Sequence, residues 1–112
     1  MVVVLHAQDK KNVGLPNAAM AALQVAVDDA AKQYNLPTPW RFKVTSSQRG
    51  KAPVEVYCVV IDPLVPVFKE TKDRGYADFA VQWKGTKWDA YVGDREGFAN
   101  INCTNYKDAG MK

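Results

Sequence analysis

Three charged residues, Asp94, Arg95 and Glu96, follow a glycine in the C-terminal stretch "YVGDREGFANINC" (residues 91–103). The pattern is that of a strand, a Gly-Asp turn and a second strand, and loops held by a rigid scaffold often carry catalytic side chains. A carboxylate at such a turn can accept a proton, and a cation can stabilise negative charge in a transition state. An arginine cannot exchange protons near neutral pH, because its pKa lies above about 12. The turn therefore offers carboxylates that can accept a proton, but its cation cannot supply one.

Other candidates for acid–base chemistry are few. Glu55 lies in the apolar stretch "VEVYCVVIDP" (residues 54–63), two residues before Tyr57 and on the same face of a strand. The single histidine, His6, lies at the far N-terminal end. With two cysteines, no CxxC spacing and no Cys/His cluster, the sequence predicts neither a metal site nor any other cofactor.

Basic residues occur beside tryptophans in two stretches, 40–51 and 83–88. Such a combination can hold the backbone of a nucleic acid and stack its bases. The residues concerned are Trp40, Arg41, Lys43, Arg49 and Lys51, and then Trp83, Lys84, Lys87 and Trp88. The same pattern also arises when the tryptophans are in the core and the lysines are ordinary solvated strand residues, and this second interpretation is favoured.

The composition is that of one globular domain. Of the 112 residues, 47% are hydrophobic and 24% charged, so we expect a single domain over residues 1–112. A net charge of +3 permits contact with nucleic acid without requiring it. No apolar run has the length of a membrane span. "MVVVLHAQ" is too short for a signal peptide, so we expect either a cytosolic protein or one in which Met1 replaces a removed leader.

One amphipathic helix is predicted within "LPNAAMAALQVAVDDAAKQYN" (residues 15–35). Apolar residues recur there at spacings of three and four: Leu15, Ala19, Ala22, Leu23, Ala26, Ala30 and Tyr34. Gly14 and Pro16 lie near the start of the stripe, and Asn35 and Pro37 end it. We expect Asp28 and Asp29 to lie on the solvated face.

After the helix the period changes from that of a helix to that of a strand. "WRFKVTSS" (residues 40–47) alternates as a half-buried strand, "QRGKAP" is a turn, and the stretch 54–63 is apolar on both faces, as in a central strand. "ADFAVQW" and "TKWDAYVGD" form a hairpin, and "GFANINC" (residues 97–103) closes the sheet. A short β-branched run, residues 2–6, precedes the helix. The predicted class is α+β, with one N-terminal helix packed on a meandering antiparallel sheet of about five strands.

These elements resemble the barnase and guanyl-specific microbial ribonucleases, in which a single N-terminal helix packs on a meandering antiparallel sheet. The last hairpin of that family ends in a stretch like Tyr-x-Gly-Asp-His-Tyr, followed by a strand and a terminal cysteine, and this chain reads "YVGDRE" and then "GFANINC". "FKVTSS" looks like the family's first sheet strand, "CVVIDP" like the strand with the catalytic glutamate, and "DRGYADFAV" like the segment with the catalytic arginine. The resemblance covers residues 15–104.

The resemblance also implies that the catalytic set is lost. Cleavage of RNA in this family needs a carboxylate for the 2′-OH proton, a histidine for the leaving oxygen and an arginine for the phosphorane. Arg95 stands in the place of the histidine, and Asp78 or Phe79 in the place of the arginine. Tyr57 stands in the place of the glutamate, with Glu55 two residues away. The vestigial active-site positions are thus Glu55, Tyr57, Asp78, Phe79, Asp94 and Arg95.

A ribonuclease-like scaffold without its active site is similar to the secreted effectors of cereal powdery mildew fungi. That resemblance implies a secreted, monomeric virulence or avirulence protein that acts inside host cells. Its partner would be a host protein, for example an immune receptor, or RNA. In those effectors a cysteine of a Tyr-x-Cys near the mature N-terminus pairs with the C-terminal cysteine. Cys103 matches the latter, but "VLHAQ" has no cysteine, and Cys58 lies on a central strand.

In a ribonuclease-like fold both cysteines are expected to be free thiols. Two strands of the meander would separate Cys58 from Cys103 at about 4.8 Å per strand, whereas a disulfide needs Cα atoms within about 7 Å. A bridge would contradict the assumed strand order and, with it, the ribonuclease resemblance.

Three other functions remain open at this point. They are a nucleic-acid-binding module, a residual ribonuclease that uses Glu55, and an inhibitor or phage-type binding protein. The helix followed by strands also suits the cystatin architecture, but the Gln-x-Val-x-Gly hairpin of that architecture is absent. For a binding protein we predict a surface on the sheet face and loops of the vestigial site, not on the alanine-rich side of the helix. Its predicted residues are Arg41, Lys43, Arg49, Lys51, Lys84, Lys87, Trp88 and Arg95. No membrane partner is expected.

Overall fold

One helix packs on a four-stranded antiparallel sheet. The computed structural model describes residues 14–51, 55–66 and 75–93 together with Cys103. The elements are α1 (Asn17–Gln33), β1 (Val44–Arg49), β2 (Val56–Ile61), β3 (Asp78–Trp83) and β4 (Trp88–Val92). The strands are neighbours in chain order, and α1 covers one face of the sheet. The predicted α+β class and the order of these strands are confirmed.

Several predicted features lie outside the described residues. These are the run at residues 2–6, the Gly-Asp turn with Asp94 and Arg95, and all of the closing stretch 97–103 except Cys103. Within the described ranges, the helix is too short and too polar to cross a membrane.

The buried stripe of α1 is wider than the predicted one. Its buried residues are Ala19, Leu23, Ala26, Val27, Ala30 and Ala31, and the alanines let the helix lie close to the sheet. Of the predicted stripe, Ala22 is only half-buried and Tyr34 is exposed. The stripe extends instead to Val27 and Ala31, and Leu36, Trp40 and Phe42 pack against the same core after the helix ends.

The helix ends at Gln33, two residues before the predicted Asn35, which follows the C-cap residue Tyr34. Asn35 has φ +59°, in the left-handed region that asparagine tolerates better than most residues. The Leu36 N–H donates to the Ala31 carbonyl oxygen at 3.0 Å, and the Asn35 N–H donates to that of Lys32 at 3.1 Å. These two bonds form a Schellman motif, and Leu36 contacts the core just beyond it.

The prediction of a solvated Asp28 is wrong, whereas Asp29 is exposed as expected. Oδ1 of Asp28 accepts hydrogen bonds from Gln24 Nε2 at 2.9 Å and from the Trp40 backbone N–H at 2.8 Å. Gln24 Nε2 also donates to the Trp40 carbonyl oxygen at 3.1 Å. Both backbone groups of Trp40 are therefore bonded to the helix.

This tether explains why β1 begins at Val44 and not at the predicted residue 40. The backbone of Trp40 bonds to helix side chains, so it does not join the sheet ladder. A bulge between Val44 and Ser46 shifts the pairing with β2. The strand then continues through Gln48 and Arg49, which the sequence assigned to a turn, because they pair with Cys58 and Tyr57.

β2 is the central strand that the sequence predicted, and all six of its residues are buried. Tyr57, Val59 and Ile61 face the helix together with Phe79 and Val81 of β3. The alternate residues of these strands point to the other face, which we call the second face. Its central residues, Val56, Cys58, Val60, Asp78 and Ala80, are buried as well.

The prediction of two free thiols is wrong, because Cys58 and Cys103 form a disulfide with a Cα–Cα distance of 6.3 Å. Cys58 points to the second face, and Cys103 Sγ lies 3.8 Å from the Gln48 carbonyl oxygen of the neighbouring strand. The distance expected from the number of intervening strands holds only for residues within the plane of the sheet, whereas Cys103 meets Cys58 on the second face. The bridge therefore coexists with the meander order of the described strands, and does not contradict it.

Candidate binding surface

One end of the sheet, the hairpin end, carries exposed lysines on a tight turn. β3 ends there and β4 begins, and the Lys84 N–H donates to the Lys87 carbonyl oxygen at 2.8 Å. Gly85, the first residue of the turn, has φ +93°, and primed hairpin turns require a positive φ at this position. The turn holds both lysine side chains, which are exposed, at its two flanks.

The end of β1 and the segment that follows it add two more cations to the same end. The Arg49 side chain is 63% exposed, and Lys51 is exposed just beyond it. The Trp83 N–H donates to the Glu55 carbonyl oxygen at 2.9 Å, so the residue before β2 still pairs with β3. With β1 and β4 three strand steps apart, the cations are spread over roughly 14 Å.

An aromatic row lies between these cations on the helix side of the sheet. Trp83 is paired with Trp88 across the hairpin, and their ring centroids are 5.4 Å apart at an interplanar angle of 57°. The Trp88 ring is also 5.9 Å from that of Tyr57, which is buried. Both tryptophans are half-buried. One part of the pair packs on the protein, and the rest is accessible to a ligand.

Glu55 accepts a hydrogen bond within this end. The Tyr57 hydroxyl donates to Glu55 Oε2 at 2.6 Å, and an Arg49 guanidinium nitrogen lies 3.8 Å from the same oxygen. Burial raises the pKa of Tyr57 above its ordinary value of 10.0, and the hydrogen bond and charge of Glu55 raise it further, whereas Arg49 acts in the opposite direction. Tyr57 is thus held as a neutral donor to a carboxylate.

The structure brings together most of the predicted binding residues, but not all of them. We call the group at the hairpin end the hairpin surface: Arg49, Lys51, Glu55, Trp83, Lys84, Lys87 and Trp88. Arg41 and Lys43 are exposed at the opposite end, beyond the start of β1. The predicted set of cations is therefore divided between two ends of the sheet.

The vestigial active-site positions do not form one exposed cluster among the described residues. Tyr57 and Phe79 both face the helix, and Phe79 is fully buried in the core. Asp78 is buried on the second face, and its carbonyl oxygen accepts the Gly93 N–H at 2.7 Å, at the end opposite the hairpin. Asp94 and Arg95 follow Gly93 and lie outside the described residues.

A shallow depression of about 320 Å³ lies near the opposite end, lined by Pro37, Pro39, Trp40 and Arg41. Its position depends on the bonds from Gln24 and Asp28 to Trp40, which the sequence interpretation missed. The four-residue spacing of Gln24 and Asp28, on the flank of the apolar stripe, was the available signal.

In the described part of the chain, histidine, cysteine, aspartate and glutamate side chains do not form a group of three that could hold a metal ion. No family model matches the chain, and no curated protein or solved structure is significantly similar to it.

Proposed function

We propose that this protein is a non-catalytic effector of the ribonuclease-like type, secreted and acting inside host cells by binding a host protein or RNA. The observation that carries the proposal is the bonding of Glu55, the carboxylate two residues before the family's glutamate position. Its Oε2 already accepts the Tyr57 hydroxyl and lies close to Arg49. A carboxylate engaged in this way is poorly placed to take a proton from a 2′-hydroxyl.

The arginine position supports the same conclusion. Of the two residues that can occupy it, Phe79 has no exposed surface and Asp78 only 4%. Neither side chain can contact a phosphate in solvent, and neither carries the positive charge that stabilises a phosphorane.

The hairpin surface supports a binding role. Four exposed cations and two half-exposed tryptophans lie at one end of the sheet, on the ends of strands and in the turns that join them. The alanine-rich side of α1 is buried against the sheet and is not available to a partner.

The disulfide departs from the effectors that the chain resembles. There the C-terminal cysteine pairs near the N-terminus, whereas Cys103 pairs with Cys58 on β2. The proposal therefore rests on the lost catalytic set and the binding surface, and not on the cysteine pattern.

Incubation with single-stranded RNA near neutral pH tests the absence of catalysis. We expect the RNA to remain intact over hours. The candidate base, Glu55, already accepts a hydrogen bond from Tyr57 and lies beside Arg49, and neither residue at the family's arginine position is a cation. The Glu55→Gln variant removes the candidate base, and Asp62→Asn, which changes an exposed carboxylate after β2, is the matched control.

Cleavage that co-elutes with the protein would overturn the proposal. If Glu55→Gln abolished this cleavage and Asp62→Asn did not, the protein would be a residual ribonuclease with Glu55 as its base.

A further inference from the structure

We propose that the hairpin surface binds a flexible single-stranded polynucleotide, with bases against the Trp83–Trp88 pair and phosphates beside the surrounding cations. This inference rests on the proposed function, since it names the partner of the same surface. A protein partner is the competing outcome of the test below.

The charge of the surface favours a polyanion. Arg49, Lys51, Lys84 and Lys87 are all exposed at this end. Glu55, 34% exposed, is the acidic member of the group and offsets part of the Arg49 charge. The next acidic residue along the hairpin, Asp89, is opposite Gln82 on the second face, away from the tryptophan pair. Four cations thus outnumber the two carboxylates described at this end, which keeps a net positive charge.

The aromatic pair favours unstacked bases over a duplex. Trp83 and Trp88 are held at 5.4 Å by the register of the hairpin, and Trp88 is supported from behind by Tyr57. Every base has a flat apolar face, so stacking on tryptophan tolerates any sequence but needs a base that is free of its partner strand. Paired bases in a helix cannot present this face.

These contacts define the expected binding behaviour. The cations contact phosphates, so affinity should fall with salt, and each neutralised contact should change the slope of log K against log salt by about 0.7. Neither stacking nor backbone contact reads base edges, so RNA and DNA single strands of different sequence should bind with similar affinity.

Fluorescence anisotropy with labelled oligonucleotides tests the proposal in the intact, oxidised protein. The probes are oligo-U, oligo-A and oligo-dT of roughly a dozen nucleotides, and an RNA duplex of the same length. The double variant Lys84→Gln/Lys87→Gln is compared with Arg41→Gln/Lys43→Gln, which removes the same charge at the opposite end. Trp83→Leu is compared with Tyr91→Leu, which changes an exposed aromatic on the second face.

We expect single strands to bind more tightly than the duplex. The hairpin double variant should lower the salt slope by about 1.4, measured between about 50 and 200 mM salt, and its control should leave the slope unchanged. Trp83→Leu should weaken binding about tenfold, and Tyr91→Leu should not.

Three results would overturn the inference: no binding at low salt, equal losses in the two double variants, or tighter binding of the duplex. If RNA is neither bound nor cleaved, the inference fails while the proposed function keeps a protein as its partner. If RNA is cleaved, the proposed function itself fails, whatever the affinity.

Discussion

Asp28 fixes the path of the chain between α1 and β1. Its carboxylate bonds the Trp40 backbone N–H and the Gln24 amide, in a half-buried position where water replaces these bonds poorly. Asp29, the next residue, is exposed. Of the two neighbouring carboxylates, Asp28 therefore holds the chain and Asp29 is solvated.

We therefore expect Asp28→Ala to lower the free energy of unfolding by about 1–3 kcal/mol, because the half-buried Trp40 N–H loses a charged acceptor. Asp29→Ala is the control, since it makes the same change in helix propensity, and its effect should stay within about 0.5 kcal/mol. Denaturant unfolding measures both, and equal effects would show that the tether contributes nothing.

Tyr57 couples the stability of the protein to alkaline pH. Its raised pKa belongs to the folded state, so the folded protein keeps this proton at pH values where the unfolded chain has released it. The stabilisation from neutral Tyr57 is complete below the unfolded value, near pH 10, and is lost as the pH rises through the folded value.

Between about pH 9 and pH 11, the free energy of unfolding of Tyr57→Phe should therefore fall less steeply than that of the wild type. At neutral pH the same variant should be less stable by about 1–2 kcal/mol, because it loses a hydrogen bond to a carboxylate. Tyr91→Phe, at an exposed site, is the control and should follow the wild type in denaturant unfolding. Parallel curves for Tyr57→Phe and the wild type would contradict the assigned coupling.

At the scale of elements, the disulfide attaches Cys103 to the central strand. Cys58 is fully buried and Cys103 is 3% exposed, so the bond lies within the packed second face. A link across 45 residues restricts the unfolded chain more than the folded one.

We expect thiol titration under denaturing, non-reducing conditions to find no free thiol. Replacing both cysteines by alanine should lower the free energy of unfolding by about 4 kcal/mol, the loop-entropy value for this separation. Two free thiols per chain, or a double variant as stable as the wild type, would show that the bridge is absent or without effect. Reduced wild-type protein provides the matched comparison, because it keeps both sulfur atoms.

The sequence predicted the elements whose cause is local. The alanine stripe of α1, the asparagine that closes it at residue 35 and the apolar central strand each follow from spacing or from backbone preference. The start of β1 was not predictable in this way, because it depends on a hydrogen bond between residues 28 and 40. The disulfide was not predictable for a similar reason, because it joins two residues that are 45 positions apart and meet on a face of the sheet.

At the scale of the whole molecule, the order and register of the strands determine which predicted site residues lie together. The register of the hairpin aligns Trp83 with Trp88, and the strand order brings Arg49 and Lys51 to the same end as Lys84 and Lys87. Spacing along the chain had instead grouped Arg41 and Lys43 with Arg49. β1 runs from one end of the sheet to the other, so Lys43 and Arg49 lie at opposite ends although they are close in sequence.

The bond between Cys58 and Cys103 also closes the chain into a covalent ring that contains β3, β4 and the exposed turn at Lys84–Lys87. A protease that cuts after either lysine opens this ring without dividing the molecule, because the bridge still joins both pieces. The nicked protein would migrate as one band until a reductant is added, and as two bands afterwards. The exposed lysines of this turn can thus be cut while the bridge still holds the two pieces together.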